Sequence, residues 1–147
     1  MRIEMQIMRI IAKKGGEVFM FLRRLKKYLL FFVLGALGYA AMETIWRGYT
    51  HWSMALAGGI SFIIFSLVAE GFRERPLLLK AVLCAVGVTL VELVFGLIFN
   101  VTLGMNVWDY SHLPLNLFGQ ICPWFSLLWV GIAAVFLPFA DALNDGL

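Results

Sequence analysis

The chain has 147 residues, 62% of them hydrophobic and only 14% charged, with a net charge of +3 and a mean hydropathy of +0.89. A soluble domain carries roughly 45–50% apolar and about 25% charged residues, so these values exclude an ordinary water-soluble domain, and the length leaves room for one domain. Two cysteines, Cys84 and Cys122, provide neither a disulfide framework nor metal-ligand spacing and read as small apolar packing residues.

Residues 1–27 differ in kind from the rest. They hold Arg2, Arg9, Lys13, Lys14, Arg23, Arg24, Lys26 and Lys27 against Glu4 and Glu17. Ile3, Ile7, Ile10 and Ile11 recur at helical spacing, which fits a basic amphipathic helix on the membrane surface. A disordered basic leader is the alternative. In either form the expected partner is anionic lipid headgroups, not nucleic acid. The "KKGGE" stretch predicts a break at Gly15–Gly16. A cleaved signal peptide ending near "GYA" at 38–40 competes for the first 40 residues; an uncleaved first helix is the expectation.

The remainder, 28–147, predicts an all-α polytopic domain of four transmembrane helices at about 28–46, 53–70, 77–101 and 119–139. Each run is near or above the ~20 residues a helix needs to cross ~30 Å of hydrocarbon, and helices satisfy their own backbone there. Pro76 suits the first turn of the third helix. With four spans, both termini and the 71–76 loop share one side, which carries eleven of the twelve Lys and Arg residues. The positive-inside rule then puts both termini in the cytoplasm of a cell-membrane protein. Arg47 alone falls opposite, where Trp46, Trp52, Trp108, Tyr110 and Trp124 gather.

Two carboxylates fall within spans. Glu43 lies 15 residues beyond Tyr28, and Glu92 lies 15 residues beyond Leu77. At about 1.5 Å per residue both sit ~22 Å up parallel helices. Facing lipid mid-membrane would cost each roughly 2.5–3.5 kcal/mol, so both are expected to face inward. Ala36, Tyr39, Ala40, Trp46 and Arg47 share the Glu43 face. Cys84, Ala85, Thr89, Gly96 and Asn100 share the Glu92 face. Small and polar residues at such spacings mark helix contacts in membranes. Arg47 follows Glu43 at the i, i+4 spacing that favours an ion pair. Glu92 is then the surplus acid, which shares Arg47, stays protonated in its buried setting, or binds a cation.

The segment "NVWDYSHLPLNLFGQICPWFSLLW" closes the reading. Pro114 and Pro123 break helix, Asp109 and Ser111 can cap turns, and Leu113, Leu115, Leu117 and Phe118 are too apolar for a solvated loop. It is expected to lie in the outer interface over the mouth of the bundle. There it would bring His112 and Asp109, with His51, toward the cluster. "METIWRGYTHWSM" followed by this segment resembles the Putative ABC-transporter type IV family of small membrane proteins over roughly 28–140, with its core in WDYS…N…G…IC. The resemblance implies transport and points to Glu43, Arg47, Trp108, Asp109, Tyr110, Asn116 and Gly119. No G-x-x-x-x-G-K-[ST] phosphate loop occurs in the sequence.

The expected function is a small permease or permease subunit, with a candidate binding site of Tyr39, Glu43, Arg47, His51, Glu92, Trp108, Asp109, Tyr110, His112 and Asn116. Four helices enclose little space, so a pathway would call for a homodimer or another membrane subunit. The alternative is a non-transporting binding, regulatory or assembly protein whose buried charges are structural. Asp109, Ser111 and His112 are residue types used in hydrolysis, but neighbours in sequence do not make a triad. A metal site from His51, His112, Asp109 and the two glutamates lacks diagnostic spacing. Neither a catalytic residue nor a metal or cofactor is therefore assigned.

Overall fold

The computed structural model describes the backbone of residues 2–146 and the side chains of Met5 and of residues 13–146. The chain forms α1 (Arg2–Arg47), α2 (Trp52–Gly71), α3 (Leu77–Phe95) and α4 (Pro123–Gly146), with a π-helical turn, Gly96–Thr102, prolonging α3. There is no strand among the described residues; a single bridge pairs Leu117 with Ile121. All four helices are long and apolar enough to cross a membrane. This is the all-helical, multi-pass class that the composition predicts.

Successive helices run in opposite directions, so α1 and α3 end where the long 103–122 segment begins. That end is called the loop end here, and the end carrying both termini is the far end. At the far end Lys27 pairs with Glu70 at 2.6 Å, and Lys80 with Asp141 at 2.8 Å. Ser66 and Asn144 exchange hydrogen bonds of 2.8 and 3.1 Å. The lysines are thereby matched at the foot of the bundle.

Several boundaries differ from the sequence expectation. The break at Gly15–Gly16 is absent: α1 runs unbroken through it. Glycine weakens a helix by only about 1 kcal/mol relative to alanine, and the apolar run from Val18 to Leu22 sustains it beyond. At about 1.5 Å per residue α1 is roughly 69 Å long, more than twice a bilayer core. Every side chain from Lys13 to Lys26 is exposed, so this stretch projects past the other helices. The expected amphipathic stripe of Ile3, Ile7, Ile10 and Ile11 falls outside the described side chains. The fourth span opens at Pro123 instead of residue 119 and continues to Gly146 instead of stopping near 139. Pro123 does not interrupt a helix; it starts one, where its missing N–H costs nothing.

The core runs along the bundle axis through Phe31, Phe65, Ala81, Cys84, Val88 and Leu137. Helices α1 and α2 meet at backbone distance, because Gly35 and Gly58 face each other with no room for a side chain. A Cβ on Gly58 would reach the Gly35 carbonyl oxygen at 2.7 Å and would crowd Tyr39. This contact places Tyr39, and one turn above it Glu43, against α2. Close approach of this kind is how helices associate where lipid removes the hydrophobic drive.

Gly58→Ala is therefore expected to cost about 1–3 kcal/mol through overpacking. Gly38→Ala, on the open face of α1, should leave stability unchanged or slightly raised. Thermal melts of the two variants in one detergent check the difference.

Candidate functional site

The loop end is organised by Arg47. Its Nη2 donates to Glu43 Oε1 at 2.5 Å and its Nη1 to the Val107 carbonyl at 2.9 Å. The Tyr49 ring covers the guanidinium with its centroid 4.6 Å away. Thr50 Oγ1 donates to the second Glu43 oxygen at 2.5 Å. Both charged side chains are largely enclosed, 22% exposed for Arg47 and 10% for Glu43. One guanidinium thus joins the top of α1 to the 103–122 segment, sixty residues away. The planar fork of arginine suits two acceptors in different directions.

The segment is held as firmly by an amide network. Asn100, in the π-helical turn, donates to the Trp108 carbonyl at 2.9 Å and to Gln120 Oε1 at 2.8 Å. Its own oxygen accepts from Val107 N–H at 2.6 Å. The Trp108 indole donates to the Gln120 carbonyl at 2.9 Å. Val107, Trp108, Asn100 and Gln120 are all buried, so each polar group there needs its partner. The π-helical turn rotates Asn100 toward these partners; such turns insert an extra residue into a helix.

Further along, Asp109 accepts from Ser111 N–H at 2.8 Å and from the Ser111 hydroxyl at 2.9 Å. These bonds, the backbone one first, hold its carboxyl below the usual aspartate range. Asn116 donates to the Ser111 and Leu113 carbonyls and accepts from Gly119 N–H at 2.9 Å. Gly119 has φ +69°, and a Cβ there would meet Asp109 Oδ1 at 2.9 Å, so the turn requires glycine. Tyr110 stacks on Phe125 of α4 with ring centroids 4.4 Å apart. Burial, then the Glu92 carboxylate once that acid has ionised, push its hydroxyl well above the ordinary tyrosine range, so it stays protonated.

Between the segment and the top of α1 lies an open cleft of about 330 Å³, lined by Arg47, Tyr49, Asp109, Tyr110, His112 and Phe125 among others. Below it, Glu92 is 5% exposed. Its Oε2 has no hydrogen-bond partner, and neither has the buried Trp129 indole N–H. Trp129 lies close enough to act on the Glu92 carboxyl without closing a hydrogen bond. Tyr39 stacks on Trp129 at 5.7 Å and lies within electrostatic reach of Glu92, Tyr110, Glu43 and Arg47.

The expected convergence therefore divides in two. Arg47, Trp108, Asp109, Tyr110 and His112 meet at the cleft, with Glu43 behind Arg47. Tyr39 and Glu92 meet beneath it, and Arg47 does not pair with Glu92. His51 is a correction: it caps α2, where its ring accepts from Ser53 N–H at 3.3 Å and contacts the Ser53 hydroxyl at 2.7 Å. It does not line the cleft. Asn116 serves the turn. Trp46, expected on the Glu43 face, is 86% exposed. No group of three His, Cys, Asp or Glu that could hold a metal ion occurs among the described residues.

Thr50, Val107 and Gln120 are partners of the site beyond the sequence expectation, and Asn100, expected on the Glu92 face, binds the outer segment instead. Asn100 and Gln120 carried one signal: amides bordering apolar helices must find partners. Nothing in the sequence distinguishes the Val107 carbonyl.

The chain belongs to the family described as Putative ABC-transporter type IV, which matches residues 29–145. It is thus a multi-pass membrane protein of a transporter-related family. No curated protein and no solved structure matches it.

Two outcomes are expected from this geometry. Glu43→Gln leaves Arg47 without its counter-charge and should lower stability by about 1–3 kcal/mol, below the ~3–5 kcal/mol of a fully buried pair because Arg47 is partly open. Glu92→Gln, which leaves every described ion pair intact, should cost less; paired melts at neutral pH decide. The Asp109 turn has a depressed carboxyl, so its stabilisation persists above the ordinary aspartate range. It is lost as pH falls through the lowered value, and Asp109→Asn should remove that acid step from the local exchange of Ser111 N–H.

Proposed function

We propose that this protein is the membrane-embedded part of a solute transporter, a permease or permease subunit whose solute enters the cleft at the loop end. The observation that carries this reading is the cleft itself. An open space of about 330 Å³ brings together the Arg47 guanidinium, the Asp109 carboxylate, the His112 imidazole and aromatic walls. Groups of both signs in one cleft suit a small solute bearing a positive and a negative group. Arg47 is an ionisable residue at the end of a membrane-spanning helix, and such residues mark solute pathways where they line a cavity; the family's description supports the same direction.

In this reading the loop end faces outward. The Lys and Arg count supports it, with eleven of twelve assigned to the far end and the positive-inside rule setting that end in the cytoplasm. The membrane is then the cell membrane. No phosphate-binding loop occurs within these 147 residues, so ATP-driven movement would draw on a nucleotide-binding domain outside them. A pathway through so narrow a bundle would require a second copy or another membrane subunit. Basic residues of the 1–27 segment would meet anionic headgroups.

A second reading, a binding or assembly protein without transport, is favoured by one observation. Trp108 and Asn116 spend their polar groups on the segment's own turns. The two readings separate by experiment. Purified protein is screened by thermal shift against mixtures of amino acids, organic acids and amines. A solute that binds the folded state raises the melting temperature. The transport reading expects one such class to stabilise the protein, with affinity lowered about ten-fold or more by Asp109→Asn or His112→Ala, equivalent to ~1.4 kcal/mol. No stabilising solute in any class would favour the assembly reading. For orientation, a cysteine placed at Asn106 should be labelled by an impermeant reagent in intact cells. Labelling only after permeabilisation would reverse the topology.

A further inference from the structure

We infer that Glu92 is a proton-binding site inside the bundle, exchanging its proton with the loop-end cleft past the hydroxyl of Tyr110. This stands apart from the solute reading, since it concerns a different residue and needs no solute in the cleft. The carboxyl is 5% exposed and sits in a membrane-spanning helix, with Oε2 unpartnered. No described ion pair reaches it: the acids that are paired are Glu43, Glu70, Asp141 and Asp145. A carboxylate buried without a cation, and with one oxygen lacking a donor, is costlier than the neutral acid. The neutral acid also has one O–H to donate, which the ion lacks.

The groups around Glu92 are few. From α1, Tyr39 lies within electrostatic reach of it, as of Glu43 and Arg47. From the outer segment, Tyr110 lies within reach, and the Cys122 thiol within reach of Tyr110. From α4, Glu92 faces the Trp129 indole, and Cys84 lies about two turns below on α3 itself. Helix α2 has Glu70 as its one ionisable side chain, at the opposite end. Glu43 is already matched by Arg47 and Thr50. Glu92 is thus the acid here with no fixed counter-charge, and a mobile proton supplies it.

The route follows from placement. Tyr110 lines the cleft and packs on the same cluster as Tyr39 and Phe95, the latter one helical turn from Glu92 on α3; it also lies within electrostatic reach of Glu92. On release, the carboxyl O–H breaks and its electron pair stays on the carboxylate. The proton passes by way of the Tyr110 hydroxyl to water in the cleft, the tyrosine returning to its neutral form. Uptake is the reverse, and no other reactant is involved. A group that binds and releases a proton within the membrane, next to a cleft open at one end, could draw on a proton gradient.

Infrared spectroscopy of the full chain in detergent tests this. The wild type should show a protonated-carboxyl C=O band at neutral pH that disappears on alkaline titration. Glu92→Gln should lack that band. If Glu92→Gln fails to fold, Glu92→Asp should keep a band at a shifted frequency. After a pH jump, Tyr110→Phe should slow loss of the band several-fold with its intensity unchanged. Absence of the band in wild type, or an unaltered band in the Glu92 variants, would overturn the site. Equal rates in wild type and Tyr110→Phe would overturn the route.

Discussion

The guanidinium of Arg47 is the point on which the loop end depends. A charge at this depth needs acceptors where water does not reach; Arg47 finds two for its Nη groups, while its buried Nε stays without a partner. The first is Glu43, one turn below on its own helix, and the second is the Val107 carbonyl of the outer segment. The first interaction neutralises the charge. The second makes the segment part of the bundle. Lose that tie, and Val107 and Trp108 keep the hydrogen bonds of Asn100 and Gln120 and their packing on Met54, Phe95 and Phe99.

The two ends solve the same problem differently. At the far end two ion pairs, Lys27–Glu70 and Lys80–Asp141, join residues of different helices and lock them together. At the loop end the ion pair lies within one helix and leaves room beside it. The space it leaves is the cleft. Glu92, lower down, is excluded from both arrangements and keeps an unpartnered oxygen. The bundle is thus asymmetric, tied by salt bridges between helices at one end and open at the other.

Much of this was legible in the sequence, because the membrane imposes coarse rules. Long apolar runs must be helices, and a charge within one must face inward. The inward placement of Glu92 and the Glu43–Arg47 pair followed from helical spacing and the cost of charge in lipid. What was not legible depended on partners without a sequence signature. Any backbone carbonyl could have taken the second arm of Arg47, and periodicity does not point to Val107. The π-helical turn was hidden because its extra residue leaves the hydrophobic run 77–101 unchanged. His51 looked like a site residue because imidazole suits both a pocket and a helix cap; Ser53 two residues on was the cue for the cap. Gly15–Gly16 misled because helix-weakening residues do not end a helix whose flanks are strong formers.

Hydrogen exchange of residues 103–122, followed by mass spectrometry in wild type and Arg47→Lys, tests the central claim most directly. Lysine keeps the charge and its attraction to Glu43 but loses the planar fork that reaches two acceptors at once. The account predicts faster exchange confined to the outer segment, centred on Val107 and Trp108, with α2 and α4 protected as before. Unchanged exchange in 103–122 would contradict it, and so would a uniform loss of protection across the bundle.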